Sequence, residues 1–172
     1  MLIGQQEFLQ STIFVETHQC QALKHAVAMS GFNACGESKS ATESYFAARF
    51  HLERAENMAD NSSFLNTETV QALLLVARYE CTHVSWPKAL LTISRLMQLI
   101  SLLGYDMLDQ NLPEDEESSS HILLPRSYSS ESVEKIRQTY WIAFSIHCNA
   151  AATFPSYVSI KDKDVSSSLT TT

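Results

Sequence analysis

The sequence predicts an all-α fold, a packed array of five to six helices, and three observations predict it. The chain has 172 residues but only 4 Gly and 4 Pro, where average usage gives about 20 of the two together. A β-sandwich or barrel needs a turn every 8–12 residues and would use more of both. Strict apolar–polar alternation fails everywhere except over 157–160, which is four residues long. Elsewhere the apolar residues recur at three- and four-residue intervals, which places them on one face of a helix. A chain of this length buries about 70% of its extended surface and can build one core without disulfides or metals. The expected organisation is a single domain over 1–165 with a polar tail at 166–172.

Residues 8–30 read as helix, in one piece or two. Leu23, Ala26, Val27 and Ser30 share a face, Gly31 is placed as the stop, and 33–40 reads as a small polar linker containing Gly36. A second helix starts near Ser40 or Thr42. Tyr45, Phe46, Ala48, Arg49, Leu52, Ala55 and Ala59 form its apolar stripe, opposite Glu53, Arg54 and Glu56. Residues 60–64 make a turn, and Asn66 caps the next helix with Glu68 at its positive end. There Val70, Leu73, Leu74, Ala77 and Cys81 repeat at i, i+3, i+4, i+7 and i+11, and Leu75 and Val76 widen the arc, so this helix is expected at the centre.

Pro87 suits the first turn of a further helix, where its missing N–H has no intrahelical partner. Over 88–103 the apolar residues cover most of the circumference, which predicts a buried helix, and Gly104 ends it. Residues 106–132 are expected to form one long mobile acidic loop. The stretch holds Pro113, Pro125 and seven serines, a composition that buries little. Ser130 or Ser132 starts the last long helix. Val133, Ile136, Tyr140, Phe144, Cys148 and Ala151 are assigned to its buried face, and Phe154-Pro155-Ser156 stops it.

Charge excludes some functions. The formal net charge is −7. The 106–132 stretch alone sets Asp106, Asp109, Glu114, Asp115, Glu116, Glu117 and Glu131 against Arg126, so the rest of the chain is nearly neutral. There is no basic footprint for nucleic acid, and no Lys/Arg cluster for a membrane surface. Residues 89–103 are too short and too polar to span a bilayer, and the first residues lack the basic and apolar regions of a signal peptide. Cys20, Cys35, Cys81 and Cys148 are each at least 15 positions from the next. They encode no local zinc site and read as reduced, mostly buried thiols of an intracellular protein.

Three blocks in order resemble one family, the regulatory middle domain of fungal zinc-cluster transcription factors. The first is Tyr45-Phe46-Ala47-Ala48-Arg49 followed by Glu53. The second runs from Thr69-Val70-Gln71-Ala72-Leu73-Leu74 to Tyr79-Glu80, then from Pro87-Lys88-Ala89 to Leu103-Gly104. The third is Arg137-Gln138-Thr139-Tyr140-Trp141-Ile142-Ala143-Phe144, closing with Phe154-Pro155-Ser156 and the stretch from Ile160 to Asp164. The resemblance covers 23–165 and includes a variable acidic loop before the third block. The chain departs from the family's usual residues at Leu90, Ser94, Gln98, Asp106, His147 and Cys148, before Phe154, and at Leu169-Thr170.

The resemblance implies a nuclear regulatory domain that modulates transcription, acting with other transcription proteins or a homodimer partner. DNA contact would be made by a six-cysteine, two-zinc module that these 172 residues do not contain, so no cofactor and no direct DNA contact are expected of this chain. It further implies that the domain is truncated at its C-terminal end. The alternative is a helical protein-interaction scaffold without catalytic activity, although no block recurs at the fixed period a repeat scaffold needs.

No catalytic, cofactor or metal residue is assigned. His147 and Cys148 are adjacent and point about 100° apart on a helix, so they cannot address one substrate. Cys81 and His83 with His18 or His25 could ligate a metal, but nothing in the spacing fixes that geometry. Glu114, Asp115, Glu116 and Glu117 read as a solvated loop, or with the neighbouring serines as an activation-like or phosphorylated region. Lys161, Asp162, Lys163 and Asp164 read as a solvated end segment. Arg49 and Glu53, at i and i+4, are expected to pair, and Trp86 and Trp141 to pack.

Overall fold

The computed structural model of the chain describes residues 17–58, 65–107 and 130–154. These residues form five α-helices and no strand: α1 His18–Ala34, α2 Ser38–Glu56, α3 Thr67–Tyr79, α4 Trp86–Leu102 and α5 Ser130–Thr153. A π-helical turn, Glu80–Val84, prolongs α3, and a 3₁₀ turn, Tyr105–Met107, follows α4. Among the described residues no helix is long and apolar enough to cross a membrane.

The helix ends have local chemical causes. The Thr17 hydroxyl accepts from the Cys20 amide at 3.4 Å, and Asn66 Oδ1 accepts from the Thr69 amide at 2.8 Å. Each gives one orphan N–H of a first turn its partner. Pro87 lies in the first turn of α4 as expected. Gly104 follows that helix at φ 69, a left-handed conformation that a side chain would oppose.

The first helix ends later than the sequence predicts. Gly31 lies inside α1, and the turn is made at Gly36, whose φ is 80. The Gly36 amide donates to Asn33 O at 3.1 Å and the Glu37 amide to Phe32 O at 2.9 Å. These two bonds make a Schellman motif, which satisfies carbonyls left open at the helix end. The supposed linker is thus a three-residue turn, and α2 starts at Ser38. The turn folds α2 back along α1, so that His18 meets His51.

The core gathers on α3, where Val70, Ala72, Leu74, Val76 and Ala77 are all fully or almost fully buried. The expectation of a central helix here holds. From α1 the core receives Ala22, Leu23, Ala26 and Met29, and from α2 Ala41, Tyr45, Ala48 and Leu52. Ile93 of α4 and Ala150 of α5 close a second cluster on Ala77.

Three apolar faces differ from expectation. Phe46 is 61% exposed, because the buried residues of α2 are Ala41, Tyr45, Ala48, Leu52 and Ala55. α4 is not buried all round: Leu91 is 68% exposed and Leu102 half-exposed, while Ala89, Ile93, Leu96 and Ile100 face the core. On α5 the buried face carries Ile136, Thr139, Ala143 and Ala150, so Phe144 and Cys148 are exposed. Small residues there let α5 approach its neighbours closely; Trp141 and Phe144 turn outward, while Tyr140 packs partly buried against the core.

The expected loop over 106–132 is helical at both of its ends, in the 3₁₀ turn and in the first turn of α5. Its interior, the turn at 60–64, the segment 8–16 and the tail 166–172 lie outside the described residues.

Candidate functional site

The buried polar centre of the molecule is Glu80, where α3 passes into the π turn. Its side chain is 0% exposed. Tyr45 Oη of α2 donates to Glu80 Oε1 at 2.7 Å, and Thr92 Oγ1 of α4 donates to Oε2 at 2.6 Å. Arg49, one turn along α2 from Tyr45, brings Nη1 to 3.7 Å from Oε1 and donates to Thr92 Oγ1 at 3.2 Å. A buried charge needs such company, because an unpaired carboxylate in an apolar interior costs far more than a hydrogen bond returns. The cluster therefore ties α2, α3 and α4 into one geometry.

The electrostatics follow from burial. Desolvation pushes the Tyr45 hydroxyl well above its ordinary value, reinforced by its hydrogen bond to the Glu80 carboxylate. The Cys81 thiol is also raised, by burial first and by the Glu80 charge second. A thiol held protonated in this way is a poor nucleophile. Tyr79 packs beside Tyr45 with ring centroids 5.4 Å apart and the rings tilted by 31°, and its hydroxyl lies 3.3 Å from Thr42 Oγ1.

Beside this cluster a groove separates α2 from α4. The two helices flank α3 and approach each other mainly through side chains. The groove deepens into a cavity of about 130 Å³ walled by Leu52, Leu99 and Leu102 over Leu73. It opens past Arg49, Glu53, Glu56 and Arg95 into a shallower recess reaching Leu91 and Thr92. Arg95 Nη1 donates to Glu56 Oε2 at 3.2 Å across the mouth. Arg49 does not pair with Glu53 along the helix; it turns inward to Glu80 and Thr92.

The residues singled out in the sequence do not converge. His147 is half-buried on α5, whereas Cys148 is exposed. His83 is exposed and stacks on Tyr79 at 4.8 Å, away from the other histidines. His18 and His25 of α1 instead meet His51 of α2. His18 and His51 bring their Nδ1 atoms to 3.0 Å, and His25 stacks on His51 with centroids 5.5 Å apart. No disulfide joins the four cysteines: Cys20 is buried, Cys81 half-buried, and Cys35 and Cys148 exposed, where mostly buried thiols were expected. Among the described residues no group of three or more His, Cys, Asp or Glu is placed to hold a metal. Trp86 packs on Phe154 at 5.2 Å, but Trp141 is 52% exposed. The acidic run 114–117 and the pairs at 161–164 lie outside the described residues.

The fold and this site define an all-helical domain clamped by a buried carboxylate. Over 127 residues the chain is 28% identical to the Depudecin biosynthesis cluster-specific transcription activator DEP6 of Alternaria brassicicola. That match takes in 70% of this chain and 19% of the activator, so the chain spans about a fifth of the relative's length. No protein-family model and no solved structure matches the chain.

Proposed function

We propose that the chain is the regulatory region of a fungal transcription factor, one that modulates transcription while a separate zinc-cluster module contacts DNA. The observation that carries this reading is the similarity over 127 residues to a cluster-specific transcription activator. The described parts of the three blocks lie on α2, α3 with α4, and α5, and they contribute core residues such as Tyr45, Ala48, Val70, Leu74, Leu96 and Ala143. The same reading places the protein in the nucleus, with transcription proteins or a second copy as partners and no catalytic role. A formal charge of −7 supports DNA contact by another module.

The test fuses the 172-residue chain to an unrelated DNA-binding domain upstream of a reporter in a fungal host. The fusion should change reporter output several-fold relative to the DNA-binding domain alone, and Leu74→Asp should return it to that baseline. Equal output from fused and unfused proteins would overturn the reading, as would sequence-specific DNA binding by the isolated chain in a low-salt mobility shift.

A further inference from the structure

The groove between α2 and α4 combines an apolar pocket with an unbalanced charge at its mouth. Of the two arginines there, Arg49 is answered from behind by Glu80 and Arg95 by Glu56. Glu53 is different: among the described residues its carboxylate has no ion-pair partner. Its neighbour Arg54 lies over the Phe50 ring, 5.4 Å from the centroid. The mouth therefore offers a guest one carboxylate whose charge is not already neutralised.

Below it the cavity of about 130 Å³ is lined by Leu52, Leu73, Leu99 and Leu102, with Gln98 and the charged residues of the mouth completing its wall. An apolar cavity of about 150 Å³ accommodates a benzene-sized guest. Concave apolar sites with a few convergent polar groups are the usual form of small-molecule sites. We propose that this groove binds a small organic ammonium ion with a compact apolar body, the ammonium on Glu53 and the body against Leu52, Leu73 and Leu99. An organic anion is disfavoured, because each arginine would have to give up a carboxylate it already holds. Binding here stands independently of the role in transcription, and the two are tested by separate measurements.

The experiment titrates the full chain with phenethylammonium chloride by calorimetry, with phenethyl alcohol and 3-phenylpropionate as neutral and anionic controls. Saturable binding of the ammonium ion is expected, with the alcohol at least tenfold weaker. Glu53→Gln, an exposed position whose change leaves the fold intact, should weaken the ammonium ion about tenfold, the scale of one hydrogen bond to a charged group. Leu102→Asn, half-exposed at the cavity wall, should weaken it while circular dichroism is unchanged. L-Phenylalanine distinguishes the source of the ammonium. If it binds as well as the amine, the guest is an amino acid; if it does not, the guest is a simple amine. The proposal is overturned by no saturable binding, by equal affinity in Glu53→Gln, or by tighter binding of the alcohol or the carboxylate.

Discussion

Arg49 and Glu80 face each other across the seam of α2 and α3 at 3.7 Å, and they share Thr92 between them. The carboxylate is fully buried, but the arginine side chain is 25% exposed. That asymmetry sets what each substitution does.

Glu80→Ala should cost about 3–5 kcal/mol, since it leaves the buried Tyr45 hydroxyl without its acceptor and Arg49 without its countercharge. Arg49→Met should cost less, about 2–3 kcal/mol, because the buried carboxylate keeps its two hydroxyl donors and water already screens part of its pairing with the guanidinium. In Arg49→Met combined with Glu80→Ala the losses should not add, giving a coupling of at least about 1 kcal/mol. Urea denaturation of the four proteins measures the cycle. Additive losses would mean that the two side chains act independently.

Gly31 and Gly36 should respond oppositely to alanine. Gly31 lies inside α1, where an added Cβ meets nothing within 4 Å, so Gly31→Ala should stabilise the chain by about 0.5–1 kcal/mol. Gly36 has the same open space but a φ of +80, so Gly36→Ala should destabilise by about 1 kcal/mol from backbone strain alone. Thermal melts that move in the same direction would contradict the placement of the helix end.

What was legible in the sequence was whatever a residue and its near neighbours decide. The Asn66 cap, Pro87 in a first turn and Gly104 after a last turn each act within four positions. Glu80 was not legible as a hub: Tyr45 lies 35 positions before it and Thr92 12 after, on two other helices. The α5 face was read correctly at Ile136 and Tyr140 but misassigned by one position at Phe144. Periodicity ranks Phe144 above Ala143 as a core residue, whereas close helix packing favours the smaller side chain. For the same reason no local pattern marks the groove, whose walls come from α2 and α4 and whose floor is Leu73 of α3.

Leu74 and Leu91 are both leucines on helical stripes, and aspartate should separate them. Leu74 is 1% exposed, so Leu74→Asp buries a carboxylate with no partner and should unfold a domain whose total stability is about 5–15 kcal/mol. Leu91 is 68% exposed, so Leu91→Asp should stay within about 0.5 kcal/mol of the parent. Circular dichroism melts decide it. A cooperative melt retained by Leu74→Asp would displace α3 from the centre.

The His51 ring should make stability depend on mild acid. Burial lowers its pKa below the ordinary 6.5, and the neighbouring His25 and then His18 lower it further. The short Nδ1–Nδ1 contact with His18 works only if one ring donates and the other accepts. Because the folded value is the lower one, the unfolded chain binds more protons in the interval between the two. Stability is then fully present above pH 6.5 and falls as pH drops from there through the folded value. The loss should appear at the α1–α2 seam, as faster amide exchange in the first turns of α1. His51→Asn removes the titrating ring. Its melting temperature should fall less than that of the parent between pH 7 and pH 5, although its melting temperature at pH 7 should itself be somewhat lower. Parallel pH profiles for the two proteins would show that the three-histidine cluster does not govern the acid response.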